Sequence, residues 1–309
     1  MNKTILKPLL VVAALTSVNV SATEMSASEI MEKVYSRYDG ETRISRQSIA
    51  TCKYGTKNRR LTCTEKPRVK VSESYGKDFG EQGEDTKSLT IIVEPASEKG
   101  IGILQYDYGD ITKMSDQWMY LSALGKPKRV ASGTVEDDEP KKGALFGSEF
   151  SLEDMEKVRA KDYTFKILKE TKYMGRPCYI VQITPTAKKA RHSSYSRMIS
   201  WVDKERFQEY KIQYYDRRNK YIKQKTHTGW EQQGDVWFSR KTVMKNLITQ
   251  RLSVLTKEKM VFNVDVNDEF LTIRSLSDAS FRERNMLKLK SHFLSNSAAS
   301  EQKQGNASE

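Results

Sequence analysis

The 309-residue chain has only three histidines, His192, His227 and His292. None stands at metal-ligand spacing from another, which excludes the common zinc hydrolase arrangements. There is no G-x-S-x-G elbow, phosphate loop or dinucleotide fingerprint, so the usual serine esterase and nucleotide-binding signatures are missing. Gly147-Ser148-Glu149 sets a serine beside an acid, but without a histidine in context it reads as the turn before a short helix. Asp137-Asp138-Glu139 and the acids between Asp265 and Asp268 lack the spacing of a calcium loop and read as solvated turns. Long apolar runs are absent as well. The longest beyond the N-terminus is Leu89 to Val93, interrupted by Thr90, far below the ~20 residues of a membrane-spanning helix. These absences argue against an enzyme, a metal or a cofactor.

The N-terminus has what an exported protein needs. Lys3 and Lys7 precede the apolar stretch Leu9 to Leu15, and Val20-Ser21-Ala22 offers the small residues of a signal-peptidase site, so cleavage is expected after Ala22. The first cysteine is Cys52, so no thiol stands at the cut to be lipidated, and the mature chain is expected to be soluble in the periplasm of a Gram-negative bacterium. Net charge is +13, two of which leave with Lys3 and Lys7. In a periplasmic protein such an excess points to anionic headgroups or an acidic partner, not to nucleic acid.

Cys52 and Cys63 flank a polar turn. If Lys57-Asn58 is a two-residue hairpin loop, positions summing to 115 face each other, which places the two thiols opposite on one face, within reach of a disulfide. Zinc is a weaker reading for two thiols with no nearby histidine. Cys178 reads as a free buried thiol.

A helix opens the mature chain. Ser26 and Glu29 have capping-box spacing, and Ile30, Met31, Val34 and Tyr38 recur at helical intervals. Strand patterns follow at 44–54, 59–75, 87–93, 101–108, 117–121 and 128–134. After a helical interruption opened by Ser151, they continue at 163–171, 178–184, 195–202, 207–215, 221–230, 236–245, 250–256 and 260–266. Consecutive hairpins of this kind make a meander that curls into a barrel or half-barrel. Residues 276–309 read as an extension, disordered from about residue 295 for want of apolar content; residues 281–294 fit neither helical nor strand period and suggest no role.

Four segments carry a resemblance. Asp116 to Val130 (DQWMYLSALGKPKRV) joins an aromatic strand to a basic segment, and Gly143 to Met155 (GALFGSEFSLEDM) is a turn into a helix. Ser88 to Leu104 (SLTIIVEPASEKGIGIL) and Ile199 to Tyr215 (ISWVDKERFQEYKIQYY) are a strand pair and a hairpin. Together they resemble the outer-membrane lipoprotein-sorting family, the LolA-like periplasmic proteins often associated with RND-type exporters. The likeness covers roughly residues 28–275. Ser122 stands where that family often has proline, and the chain runs past the family's usual end from Asp278 onward.

The resemblance implies residues 23–275 as one LolA-like domain. Its fold would be mainly β, with a strongly curved antiparallel sheet as an unclosed barrel and helices against the concave face. It also implies an apolar cavity that shields a lipid, or the acyl chains of a lipoprotein, between the two membranes. About 0.8 kcal/mol per methylene makes such shielding worth about 10 kcal/mol for a chain of roughly 14 carbons. Candidate lining residues are Trp118, Tyr120, Leu121, Phe150, Tyr210, Ile212 and Tyr214; taken one at a time, ordinary core is the better reading of each. Lys211, Arg217, Arg218, Lys220, Lys223 and Lys225 are candidates for contact with an anionic membrane surface or an exporter domain. The alternative function is a sensor or interaction module of the same fold that binds a protein partner. Neither function needs a catalytic group.

Overall fold

The computed structural model describes residues 24–58, 60–81, 83–131 and 143–305. The expected signal, residues 1–22, and the acidic cluster at 137–139 lie outside the described residues.

Among the described residues, segments alternating in polarity build fourteen strands in one antiparallel sheet. In the first half these are β1 (Thr42–Lys57), β2 (Arg60–Cys63), β3 (Arg68–Phe79), β4 (Asp85–Glu94), β5 (Gly102–Asp107), β6 (Asp116–Tyr120) and β7 (Pro127–Ala131). The second half supplies β8 (Tyr163–Tyr173), β9 (Arg176–Pro185), β10 (Tyr195–Asp203), β11 (Glu209–Asp216), β12 (Tyr221–Gln233), β13 (Val236–Asn246) and β14 (Arg251–Phe262). The helices are α1 (Ala27–Tyr35), α2 (Ala187–His192), α3 (Ile273–Ser277) and α4 (Ala279–Gly305).

The strand order is β7-β6-β5-β4-β3-β1-β14-β13-β12-β11-β10-β9-β8, with β2 paired to β1. The chain thus starts at the centre of the sheet and meanders out to the β7 edge. It then reappears at the opposite edge, β8, and meanders back until β14 pairs with β1. The connection from β7 to β8 must cross the full width of the sheet, and the described part of it, residues 143–162, does so over one face. That face is concave. Gln105 on β5 and Lys225 on β12 are six strand spacings apart, ~29 Å in a flat sheet, yet they line the same cavity of about 430 Å3. Only a bent sheet brings them together.

Local physics accounts for most elements. The Ser26 hydroxyl accepts from the Glu29 amide at 3.2 Å and the Glu29 carboxylate accepts from the Ser26 amide at 2.7 Å, a complete capping box. Ile30, Met31 and Val34 are fully buried against Val181, Ile183 and Val202 on the concave face. Tyr38, expected in that helical stripe, lies beyond the helix end and is 49% exposed.

Several strand readings are corrected. The run 59–75 is two strands, separated at Thr64–Pro67, where proline supplies no ladder donor. The runs 250–256 and 260–266 are one strand ending at Phe262. The charged triplet Lys257-Glu258-Lys259, which divided the two runs in the sequence, is absorbed by a bulge in which Gln47 faces Lys257 and Arg46 faces Lys259. The helix expected after Ser151 is a single 3-10 turn, Glu153–Met155. The Cys52–Cys63 disulfide forms, with Cα atoms 5.8 Å apart. Its hairpin has another register: Cys63 faces Tyr54 and Lys57 faces Arg60, so the turn lies one residue later than expected and Cys52 reaches Cys63 diagonally. Asn58, at φ 52, adopts the left-handed conformation that such turns need. Cys178 is free and buried.

The C-terminal reading is corrected as well. Residues 279–305 are helical, including the stretch expected to be disordered from about 295. Phe281, Met286, Leu289 and Phe293 are buried on the convex face of the sheet with Ile44, Tyr75, Leu89 and Leu104. Leu287, 71% exposed, and Arg282, 6% exposed with its guanidinium donating to the Ser275 and Leu276 carbonyls, obscure the helical stripe in the sequence. On this face α3 sits so close that a Cβ on Gly102 would lie 2.4 Å from Ile91 Cδ1 and 3.0 Å from Leu276 Cδ2. Glycine is required there for the close approach.

Candidate functional site

The cavity between the concave face and the crossing segment has two characters. Ile103, Leu145, Phe150, Met155, Leu255 and Met260 supply apolar wall. The remainder is polar: Ser45 and Gln47 from β1, Ser74 from β3, Thr86, Ser88 and Thr90 from β4, Gln105 and Asp107 from β5, and Thr242 from β13. Charged groups on the lining are Asp39, Arg43, Asp154, Lys157, Lys225 and Lys257, with His227 beside them. A smaller cavity of about 180 Å3 shares Asp39, Arg43, His227, Thr242, Lys257 and Met260 with the first and extends toward Gln208, Trp230 and Trp237. The two are lobes of one groove along the inside of the sheet.

Specific bonds hold the crossing segment over this space. Gln105 donates to the Met155 carbonyl at 2.8 Å and Gln117 to the Leu152 carbonyl at 3.2 Å. The Glu149 amide donates to Ser253 at 2.9 Å, and the Glu149 carboxylate receives Asn246 at 2.8 Å and Arg251 at 3.1 Å. Beneath these, Leu145, Phe146, Phe150 and Leu152 pack with Ile49, Ile92, Ile212, Tyr214, Met244 and Leu255.

Asp154, fully buried, accepts from Lys223 at 2.6 Å and from the Tyr195 hydroxyl at 2.7 Å. Burial alone would raise this carboxyl, but the ammonium and hydroxyl outweigh it and hold Asp154 below its ordinary value. Asp107 goes the other way. Burial pushes its carboxyl up, and the donors Ser115 and Gln105 offset that only in part. Burial takes His227 well below its ordinary value, with Lys225 and Lys257 adding repulsion, so its ring is neutral at pH 7. Its Nδ1 lies 3.1 Å from the Thr242 hydroxyl and 3.3 Å from that of Ser239. Burial also brings Lys257 down to about 8, reinforced by the charge of Arg37. Among the described residues, no group of three or more His, Cys, Asp or Glu is placed to hold a metal, and no helix is long and apolar enough to cross a membrane.

The structure separates the residues singled out in the sequence. Of the seven lining candidates, Phe150 alone borders the cavity. Ile212 and Tyr214 face the concave side but are packed side chain to side chain beneath the crossing segment. Tyr210, also on that side, stacks on Trp230 at 5.6 Å and donates to Asp203 at 2.7 Å. Trp118 and Tyr120 belong to the convex face, because β6 register turns Gln117 inward. They pack on the C-terminal helix cluster, with Trp118 5.0 Å from Tyr106. Leu121 is partly buried at the end of β6.

Nor do the six surface cations form one patch. Lys223 and Lys225 point inward. Lys211 points outward over Trp201, 3.4 Å from the ring centroid. Arg217 caps the Ala190, Arg191 and Ser193 carbonyls, and Arg218 and Lys220 are exposed in the turn after β11. The inner polar set was visible as Arg43-x-Ser45-x-Gln47, Ser72-x-Ser74-x-Gly76 and Thr86-x-Ser88-x-Thr90. That alternation reads as a face turned to solvent and is in fact the lumen.

No curated protein matches the sequence. A family model described as "uncharacterized protein" matches residues 84–278. Among solved structures, a putative outer membrane lipoprotein-sorting protein domain from Vibrio parahaemolyticus is 22% identical with a TM-score of 0.69, the match covering 81% of this chain and 98% of that one. A DUF1329 family protein from Desulfovibrio piger is 20% identical with a TM-score of 0.69, covering 81% and 97%. A LolA superfamily protein from Nitrosomonas europaea is 19% identical with a TM-score of 0.57, covering 81% and 98%. The matched model spans well over half of the residues, so the chain belongs to the family it describes, and its fold is the unclosed half-barrel of the LolA-like lipoprotein-sorting proteins.

Proposed function

We infer that this protein is an exported carrier that takes the acyl chain of a lipid or lipidated cargo into the concave cavity and moves it between the inner and outer membranes. The cavity itself carries this reading. Its volume of about 430 Å3 falls in the ~300–1,000 Å3 range of small-molecule sites. Its apolar wall of Ile103, Leu145, Phe150 and Leu255 is continuous with the main inner core. The description of the Vibrio relative as lipoprotein-sorting agrees with such a task. Loading by an RND-type exporter and residence in the periplasm are part of this reading, supported by the family resemblance and the N-terminal signal pattern.

The test is native mass spectrometry of full-length protein purified from a periplasmic extract, with lipid extraction of the same sample. A bound amphiphile is expected. Replacing Ser88 by Trp fills the cavity without removing a core contact, and should abolish the adduct while leaving the circular dichroism spectrum unchanged. A wild-type protein that carries no adduct and takes up no fluorescent fatty-acid probe would sink the carrier reading and leave a binding scaffold for a protein partner.

A further inference from the structure

Among the described residues the groove has an electrostatic imbalance that a plain acyl-chain cavity does not require. Four cations line the main cavity besides His227. Arg43 is answered by Asp39 at 2.7 Å and Asp78 at 2.5 Å, and Lys157 donates to the Gly83 carbonyl at 2.7 Å and to Thr86 at 3.1 Å. Lys225 and Lys257 differ. Among the described residues neither ammonium has a carboxylate or carbonyl partner. Each ammonium lies over a ring face, Tyr214 at 5.9 Å from Lys225 and Phe238 at 5.8 Å from Lys257. The lining acids are otherwise engaged: Asp154 by Lys223, Asp107 by Ser115 and Gln105, and Asp39 by Arg43, although Asp39 also acts on Lys257 through space.

Neutral donors surround the same place. Nδ1 of His227 lies 3.1 Å from the Thr242 hydroxyl, and the tautomer that accepts there carries its proton on Nε2. In the adjoining lobe, which Lys257 and His227 also line, Trp230 has a buried Nε1–H with no acceptor among the described residues. Two ammonium groups with no carboxylate or carbonyl partner among the described residues, an imidazole that borders both lobes and an indole N–H in the second lobe match the oxygens of an anion.

We propose that Lys225, Lys257, His227 and Trp230 form an anion-recognition subsite within the groove, so that the cargo is an anionic amphiphile whose phosphate or carboxylate headgroup is held there while its chain lies along Ile103, Phe150 and Leu255. This rests on the carrier reading and narrows its substrate class. Burial and the charge of Arg37 lower the Lys257 ammonium, and Asp39 offsets this only in part.

Displacement of a fluorescent fatty-acid probe from the full-length mature protein by dodecyl phosphate, dodecylphosphocholine and dodecanol tests the proposal, since only the head differs among them. The wild type is expected to prefer dodecyl phosphate by about tenfold, the scale of a charge-assisted hydrogen bond. The Lys225→Gln/Lys257→Gln variant should lose that preference while binding dodecanol unchanged, and Lys225→Arg/Lys257→Arg should keep it. An Arg218→Gln/Lys220→Gln variant with the same change in net charge should behave as wild type. A preference that survives in the glutamine variant, or falls equally in the surface variant, overturns the subsite and leaves the carrier standing. Failure of the wild type to bind any of the three overturns both. Inorganic phosphate competing as well as dodecyl phosphate would make this a free-anion site and overturn the amphiphile.

Discussion

The Asp154–Lys223 pair fastens the crossing segment to β12, and its removal is the most informative stability experiment. At 2.6 Å the Coulomb attraction is about 6 kcal/mol for an effective dielectric constant near 20. Desolvating both ions cancels much of this, so the pair as a whole contributes little; stranding one partner is what costs. Asp154→Asn leaves the Lys223 ammonium, 7% exposed, facing an amide, and should destabilise the protein by about 3–5 kcal/mol. That is a large fraction of the roughly 5–15 kcal/mol that holds a typical domain together. Lys223→Met should cost less, because Asp154 retains the Tyr195 hydroxyl and the Ser151 amide as donors. The double variant should be more stable than Asp154→Asn alone. Urea denaturation gives the three values, and hydrogen exchange across 143–162 shows whether the loss is local to the segment or global. The pH dependence has a definite sign. The folded pKa is depressed below the ordinary 3.8, so the contribution is fully present above about pH 4 and is lost as pH falls through the lower folded value. An Asp154→Asn variant within 1 kcal/mol of wild type, or a double variant as unstable as the sum of the singles, would refute this account.

Three further outcomes can be checked in the same assays. The Cys52–Cys63 bond closes a loop of sequence separation 11, so Cys63→Ser should lose about 3 kcal/mol, and reductant should affect the wild type but not the variant. Met286→Ala on α4, at 1% exposure, should cost about 2–5 kcal/mol by thermal unfolding; no effect would mean that the C-terminal helix is an independent appendage. His227 is held neutral well below its ordinary 6.5. The unfolded chain therefore binds a proton that the fold excludes, and stability should fall by up to about 1.4 kcal/mol per pH unit below 6.5. His227→Gln should flatten that slope in pH-dependent melts.

Local chemistry explains where sequence reasoning worked. The Ser26–Glu29 box needs only four neighbouring residues, and the hairpins declare themselves through polar turns flanked by alternating apolar positions. The disulfide partners were legible because Cys52 and Cys63 share a face in either register, although the turn position itself was not. The failures have a common origin in two-sided burial. Trp118 and Tyr120 looked like cavity lining because an aromatic strand face reads as "inside". In this sheet both sides have an inside, the outer one created by α3 and α4. The helix that makes it was itself hidden, since one exposed leucine and one buried arginine erased its period. Lys223 and Lys225 looked like surface for the converse reason: a charged alternate position normally means water, and here it means the lumen.

The order of strands along the chain, their alternation, the first helix and the export-signal pattern are set by neighbours within a few residues, and these the amino-acid sequence determined by itself. Which face became the lumen, that this lumen is half polar, and that two lysines there meet no carboxylate among the described residues were decided only by tertiary structure. Curvature brings β5 and β12 to the same cavity across six strand spacings, and no local pattern encodes how far a sheet bends or what returns to cover its back.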